Sequence, residues 1–143
     1  LGDVYKRQQE DRITRLAELP NLVPDMPIEK YVNDSAHHGI AMNDAGDTLC
    51  VAGTMSDYVA LVERGTFEYR IHTGVGEKPY WVTTSQDGEH CYISWSGTDQ
   101  MSVFNYASGQ EVARVDVGDH PQRIREGSVP EAWVEDQGSL FLP

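Results

Sequence analysis

Long apolar runs are missing from this sequence. No stretch approaches the roughly 20 apolar residues of a membrane-spanning helix, and no run is long enough for an ordinary helix. Basic residues are scarce: 11 lysines and arginines stand against 23 aspartates and glutamates, for a formal net charge of −12. So acidic a surface repels phosphates, which argues against nucleic acid as a partner. The charge suits simple solubility, or the steering of a cationic ligand. Only two cysteines occur, so no Cys-x-x-Cys pair and no carboxylate pattern supplies a metal-ligand set. Gly-x-Ser-x-Gly elbows, phosphate-cradling glycine loops and Walker-type runs are absent, and the acids are too scattered to name an acid–base pair. The reading therefore names no catalytic residue, no metal and no cofactor.

Turn formers are plentiful instead. Thirteen glycines and seven prolines in 143 residues, 39% of them hydrophobic, favour many short strands around a real core. Self-comparison finds a repeat at an offset of 42. Val75-Gly76-Glu77-Lys78-Pro79 falls on Val117-Gly118-Asp119-His120-Pro121, Gly46 on Gly88 and Asp57 on Asp99. Ile40 meets Val82, Val51 meets Ile93 and Leu61 meets Val103, while at twice the offset Ile124 meets Ile40 and opens a third copy.

Each copy divides into four short runs separated by turn chemistry. The spacing predicts strands at 39–42, 48–52, 58–62 and 67–71, then at 81–84, 90–95, 101–106 and 111–117. Gly46 and Gly88 stand where tight hairpins need a left-handed residue, Ser56-Asp57 and Thr98-Asp99 mark the middle turns, and Gly65 and Gly109 mark the third. Four strands in about 42 residues describe a β-propeller blade. The fold class is all-β, a propeller fragment of four-stranded antiparallel blades.

The run from Cys91 to Tyr106 resembles the YVTN repeat unit, in which a Tyr-Val-Thr-Asn strand precedes a turn and a Val-Ser-Val-Ile-Asp strand. Ala107-Ser108-Gly109-Gln110-Glu111-Val112 resembles its third hairpin, and Val117-Gly118-Asp119-His120-Pro121 its join to the next blade. The resemblance covers about residues 34–126 and is weaker in the first copy, where Val51-Ala52-Gly53-Thr54 replaces the signature strand. It implies a seven- or eight-bladed bacterial propeller, exported or on the cell surface, whose relatives include lactonase-like enzymes and a haem propeller. The repeated residues build turns and packing, so no catalytic role transfers.

The organisation expected is a leader at 1–8, the end of a preceding blade with a Pro-rich loop at 9–33, blades at 34–76 and 77–118, and at 119–143 the start of a next blade with a tail. The opening octapeptide, Leu1 to Gln8, lacks Met and any signal-peptide pattern; it resembles adapter read-through, with a short polar tail as the plain alternative. A strand is also expected at 131–134. Two blades alone would leave apolar faces open, so the rest of the ring is the first partner required.

The loop leading into each innermost strand lies on one rim of a propeller. In register, that rim carries His37, His38, Lys78, Tyr80, Trp81, His120 and Arg123 as candidate ligand-binding residues. Trp beside Lys or Arg suits an organic anion. Paired histidines suit metal or acid–base work, yet neighbours on a strand point to opposite faces, and long polar residues there also satisfy backbone groups. Cys50 and Cys91 occupy second strands of adjacent blades, one residue out of register. They bridge the blades in one strand phase and point apart in the other; a bridge would agree with export. The function expected is a non-catalytic scaffold that binds a ligand or partner protein, and the alternative is a propeller enzyme with its site at the channel mouth.

Overall fold

The computed structural model describes residues 3–7, 12–32 and 35–133. Strands β1 (Asp3–Arg7) and β2 (Arg12–Ala17) pair antiparallel, β1 falling inside the opening octapeptide. Two four-stranded sheets follow. The first blade contains β3 (Gly39–Met42), β4 (Thr48–Gly53), β5 (Tyr58–Glu63) and β6 (Tyr69–Thr73). The second contains β7 (Pro79–Thr84), β8 (His90–Trp95), β9 (Gln100–Asn105) and β10 (Gln110–Asp116). Both are antiparallel meanders in chain order. No described helix is long and apolar enough to cross a membrane.

The repeat is visible in backbone chemistry. Gly46 and Gly88 adopt φ of 70° and 72°, and their N–H groups donate to Asn43 O (3.0 Å) and Ser85 O (2.9 Å). The same two repeat positions tie off both hairpins: Asn43 Oδ1 accepts from Thr48 N–H (3.1 Å) and Ser85 Oγ from His90 N–H (2.9 Å). Asp57 and Asp99 sit left-handed at φ of 51° and 58°, and each accepts a backbone N–H from the next blade join, Lys78 (2.7 Å) and His120 (2.9 Å). The middle turn of one blade thus holds the loop that begins the next.

Two of these turns carry a pH dependence. Hydrogen bonds from the Asn43 amide and the Thr48 hydroxyl hold the Asp47 carboxyl below its ordinary 3.8, and the Ser85 hydroxyl and Glu89 N–H do so for Asp87. A depressed carboxylate stabilises the fold above its unfolded value and loses that contribution as pH falls through the lower folded value. The double variant Asp47→Asn, Asp87→Asn is therefore expected to show a shallower loss of urea midpoint below about pH 4. A loss as steep as in the parent chain would show that these turns are not linked to folding.

Several sequence expectations change: besides strand ends that shift by one residue, β7 begins at Pro79 rather than 81. The fourth strand of the first blade spans Tyr69–Thr73 rather than 67–71. The left-handed turn residue is Phe67, at φ 66°, the repeat equivalent of Gly109 at the same angle; its N–H closes onto Glu63 O at 2.7 Å. Phe67 is held there by Arg15, whose guanidinium lies 4.2 Å from the ring centroid and donates to Gly65 O and Thr66 O. At the other end, residues 131–133 form one helical turn rather than a strand, since Pro130 O accepts from Trp133 N–H at 2.9 Å. Val134 lies outside the described residues. Finally, His37 and His38 precede β3, so strand alternation does not govern them.

The blades stack through one core. Cys50, Ala52, Val59 and Leu61 of the first blade meet Val82, Cys91, Ile93, Trp95 and Phe104 of the second. Cys50 pairs across the sheet with Ala41 and Leu61, and Cys91 with Thr84 and Phe104, so both thiols face the seam. They form a disulfide with Cα atoms 6.6 Å apart. Thr84 adds a polar tie, donating to Met42 O of the first blade at 2.9 Å. The opposite face of the first blade, with Val51, Tyr58, Ala60 and Val62, closes over Leu19.

Candidate functional site

The rim is built by the blade joins and by a bulge at the start of β7. Pro79 pairs with Trp95 and Val82 with Ile93, leaving Tyr80 and Trp81 together opposite Ser94. A bulge re-aims side chains. Here Tyr80 turns to the first blade and stacks on His38 (centroids 4.7 Å apart, planes within 9°), while Trp81 turns to the chain beyond β10. Ser94 Oγ accepts the N–H of Trp81 at 3.0 Å and donates to Gln122 O. Gln86 N–H donates to Glu126 Oε1 at 2.6 Å, so two bonds fix the segment around 122–126 beside β7.

The rim candidates separate into three groups. His37 and His38 serve the loop before β3: His37 Nε2 lies 2.7 Å from Tyr58 OH, and His38 Nε2 lies 2.8 Å from Val32 O. Tyr80 completes that group. Lys78 and His120 occupy left-handed corners, at φ of 49° and 53°, and their side chains are exposed. Trp81 and Arg123 form the third group, with a guanidinium 4.6 Å from the indole centroid. Arg125 joins it at 4.8 Å. Sequence reasoning missed Arg125, although its spacing of two from Arg123 places both on one side of an extended chain.

The opposite face carries an open groove of about 1110 Å³ between the hairpins of the two blades. Asp44, Glu63, Glu68 and Asp87 give it negative charge, with Arg70 as counterweight, and Phe67, Tyr69 and Tyr106 add aromatic walls. At its edge one donor atom each from Asp87, Glu89 and His90 lies within 4.8 Å of the others, a set that could hold a divalent cation. Asp87 Oδ1 already accepts from Ser85 Oγ and Glu89 N–H, which accounts for its position by turn geometry alone. The trio lies within one hairpin turn, Asp87 to His90, where sequence reasoning read only turn chemistry.

A polar chain runs from the buried core of the second blade out to its surface. Trp95 Nε1 donates to Ser102 Oγ (2.7 Å), which donates to Glu111 Oε1 (2.6 Å), which accepts from Arg114 Nε (2.8 Å). Burial pushes the Glu111 carboxyl up, but the bonds from Arg114 and Ser102 together hold it below its ordinary value. His72, over the Phe104 ring, has its pKa lowered chiefly by burial.

Stacked four-stranded meanders joined in series at a 42-residue period are blades of a β-propeller. The chain is similar in structure to hydrazine synthase of Kuenenia stuttgartiensis, with a TM-score of 0.55 and 25% identity over 60% of this chain and 24% of that one. It is similar also to the periplasmic gluconolactonase PpgL of Pseudomonas aeruginosa, with a TM-score of 0.53 and 22% identity over 66% of this chain and 29% of that one. Apo AztD of Citrobacter koseri matches with a TM-score of 0.50 and 10% identity, over 60% of this chain and 25% of that one. The chain thus spans about a quarter of the length of these proteins. No protein-family model and no curated protein sequence matches it.

Proposed function

We propose that the chain contributes two blades to a YVTN-type β-propeller that serves as a non-catalytic binding scaffold of an exported or cell-envelope protein. The observation that carries this reading is how the rim side chains are used. His37 and His38 are committed to Tyr58 OH and Val32 O, where they hold the loop before β3, while Trp81 with its flanking arginines turns away from the blade seam. This use of the side chains supports recognition over acid–base chemistry. The Cys50–Cys91 bridge supports export, because disulfides persist in oxidising compartments.

The competing reading is an enzyme, favoured by the likeness to a gluconolactonase, although one fold hosts many activities. Hydrolysis of glucono-1,5-lactone by the protein carrying its complete ring, followed in a pH-stat, separates the two. The scaffold reading expects the rate with protein to equal the buffer rate. Turnover that disappears in His37→Ala or His38→Ala would replace it with the enzyme.

A further inference from the structure

We infer that the seam between β7 and the chain beyond β10 binds a small oxyanion, a phosphate or a polyvalent carboxylate. The inference rests on the scaffold reading and names the chemistry of its ligand. Arg123 and Arg125 both lie within 5 Å of the Trp81 centroid. Among the described residues neither forms an ion pair, although acids outnumber bases two to one in the sequence. Arg125 gives one N–H to Ile124 O at 3.0 Å, and the rest of its fork remains available. Two guanidinium groups beside one ring repel each other unless an anion lies between or beside them.

A second observation points the same way. The indole Nε1 of Trp81 is buried and has no acceptor among the described residues. Indole is a donor only, and a buried donor without a partner is destabilising until an acceptor arrives. An oxyanion suits these donors, since guanidinium forks take paired oxygens and the indole takes one.

The repeat shows how this seam differs from the one before it. Gly39 holds the position equivalent to Trp81, and it lets β3 lie directly on β7: a Cβ there would come 2.6 Å from Val82 N. At the next seam the glycine is replaced by Trp81, whose ring meets Arg123 and Arg125 of the following segment. Ser94 and Gln86 pin that segment through Gln122 O and Glu126. The donors therefore sit on a fixed frame.

Isothermal titration of the full chain at low salt, with inorganic phosphate and separately with succinate, tests the site. Saturable binding of at least one anion is expected, and the tighter one identifies the preferred head group. Arg123→Gln and Arg125→Gln should each weaken it about tenfold or more, as expected for charge-assisted bonds. Trp81→Phe keeps the ring under the arginines and removes the N–H, and should weaken binding several-fold. Lys30→Gln, an exposed charge change on the Ile28–Lys30 turn, should leave the Kd within about twofold. Absence of binding to both anions overturns the inference, as does an equal effect of Lys30→Gln and Arg123→Gln. Either result leaves the scaffold reading standing, whereas lactone turnover would remove that reading and leave the anion site intact.

Discussion

Replacing Cys50 and Cys91 by alanine is expected to lower the stability of the chain by about 2–4 kcal/mol. The bridge closes a loop with a sequence separation of 41, so the unfolded chain loses many conformations when it is oxidised. Both sulfurs lie in the blade seam with no exposure, and the alanines also leave a small void among Leu61, Val82 and Phe104. Reduction separates the two effects. A reductant should lower the urea midpoint of the parent chain, while the double-alanine variant should be insensitive to it. Equal midpoints with and without reductant in the parent chain would show that burial alone holds the seam.

The architecture was legible because a propeller writes each blade twice over, once as alternating apolar residues and once as turn residues at fixed offsets. His90–Trp95 and Gly39–Met42 coincide with their sequence expectations for that reason. The fourth strand of the first blade slipped by two residues because Gly65 looks like the turn residue. The left-handed position belongs to Phe67, which its repeat partner Gly109 could have revealed. Strand phase was not legible at all. Alternation is a relative property, and which side of β4 faces the next blade is decided by long-range packing, so whether Cys50 and Cys91 meet could not follow from spacing. The rim was partly legible: Trp81 and Arg123 do meet. The histidines bond Tyr58 and Val32 rather than one another, contacts that a 42-residue repeat does not reveal.

Trp95 marks where the second blade is most sensitive, and Trp95→Ala should cost about 3–5 kcal/mol. The ring is fully buried at the seam, and its N–H begins the chain of bonds through Ser102 and Glu111 to Arg114. Trp95→Phe keeps most of the packing and removes the donor, so about 1–2 kcal/mol is expected, the cost of leaving the Ser102–Glu111 pair incomplete. The same ring explains a glycine. A Cβ on Gly76 would lie 2.5 Å from the indole, so Gly76→Ala should destabilise by about 1–3 kcal/mol through overpacking. Gly118 occupies the equivalent join one repeat later, where nothing among the described residues lies within 4 Å of such a Cβ. Gly118→Ala in this chain should therefore stay within about 0.5 kcal/mol of the parent. The pair is a controlled comparison: same repeat position, same substitution, different neighbour. Equal shifts in urea midpoint would mean that the glycine serves the backbone of the join, and unequal shifts in the expected order would assign it to the Trp95 ring.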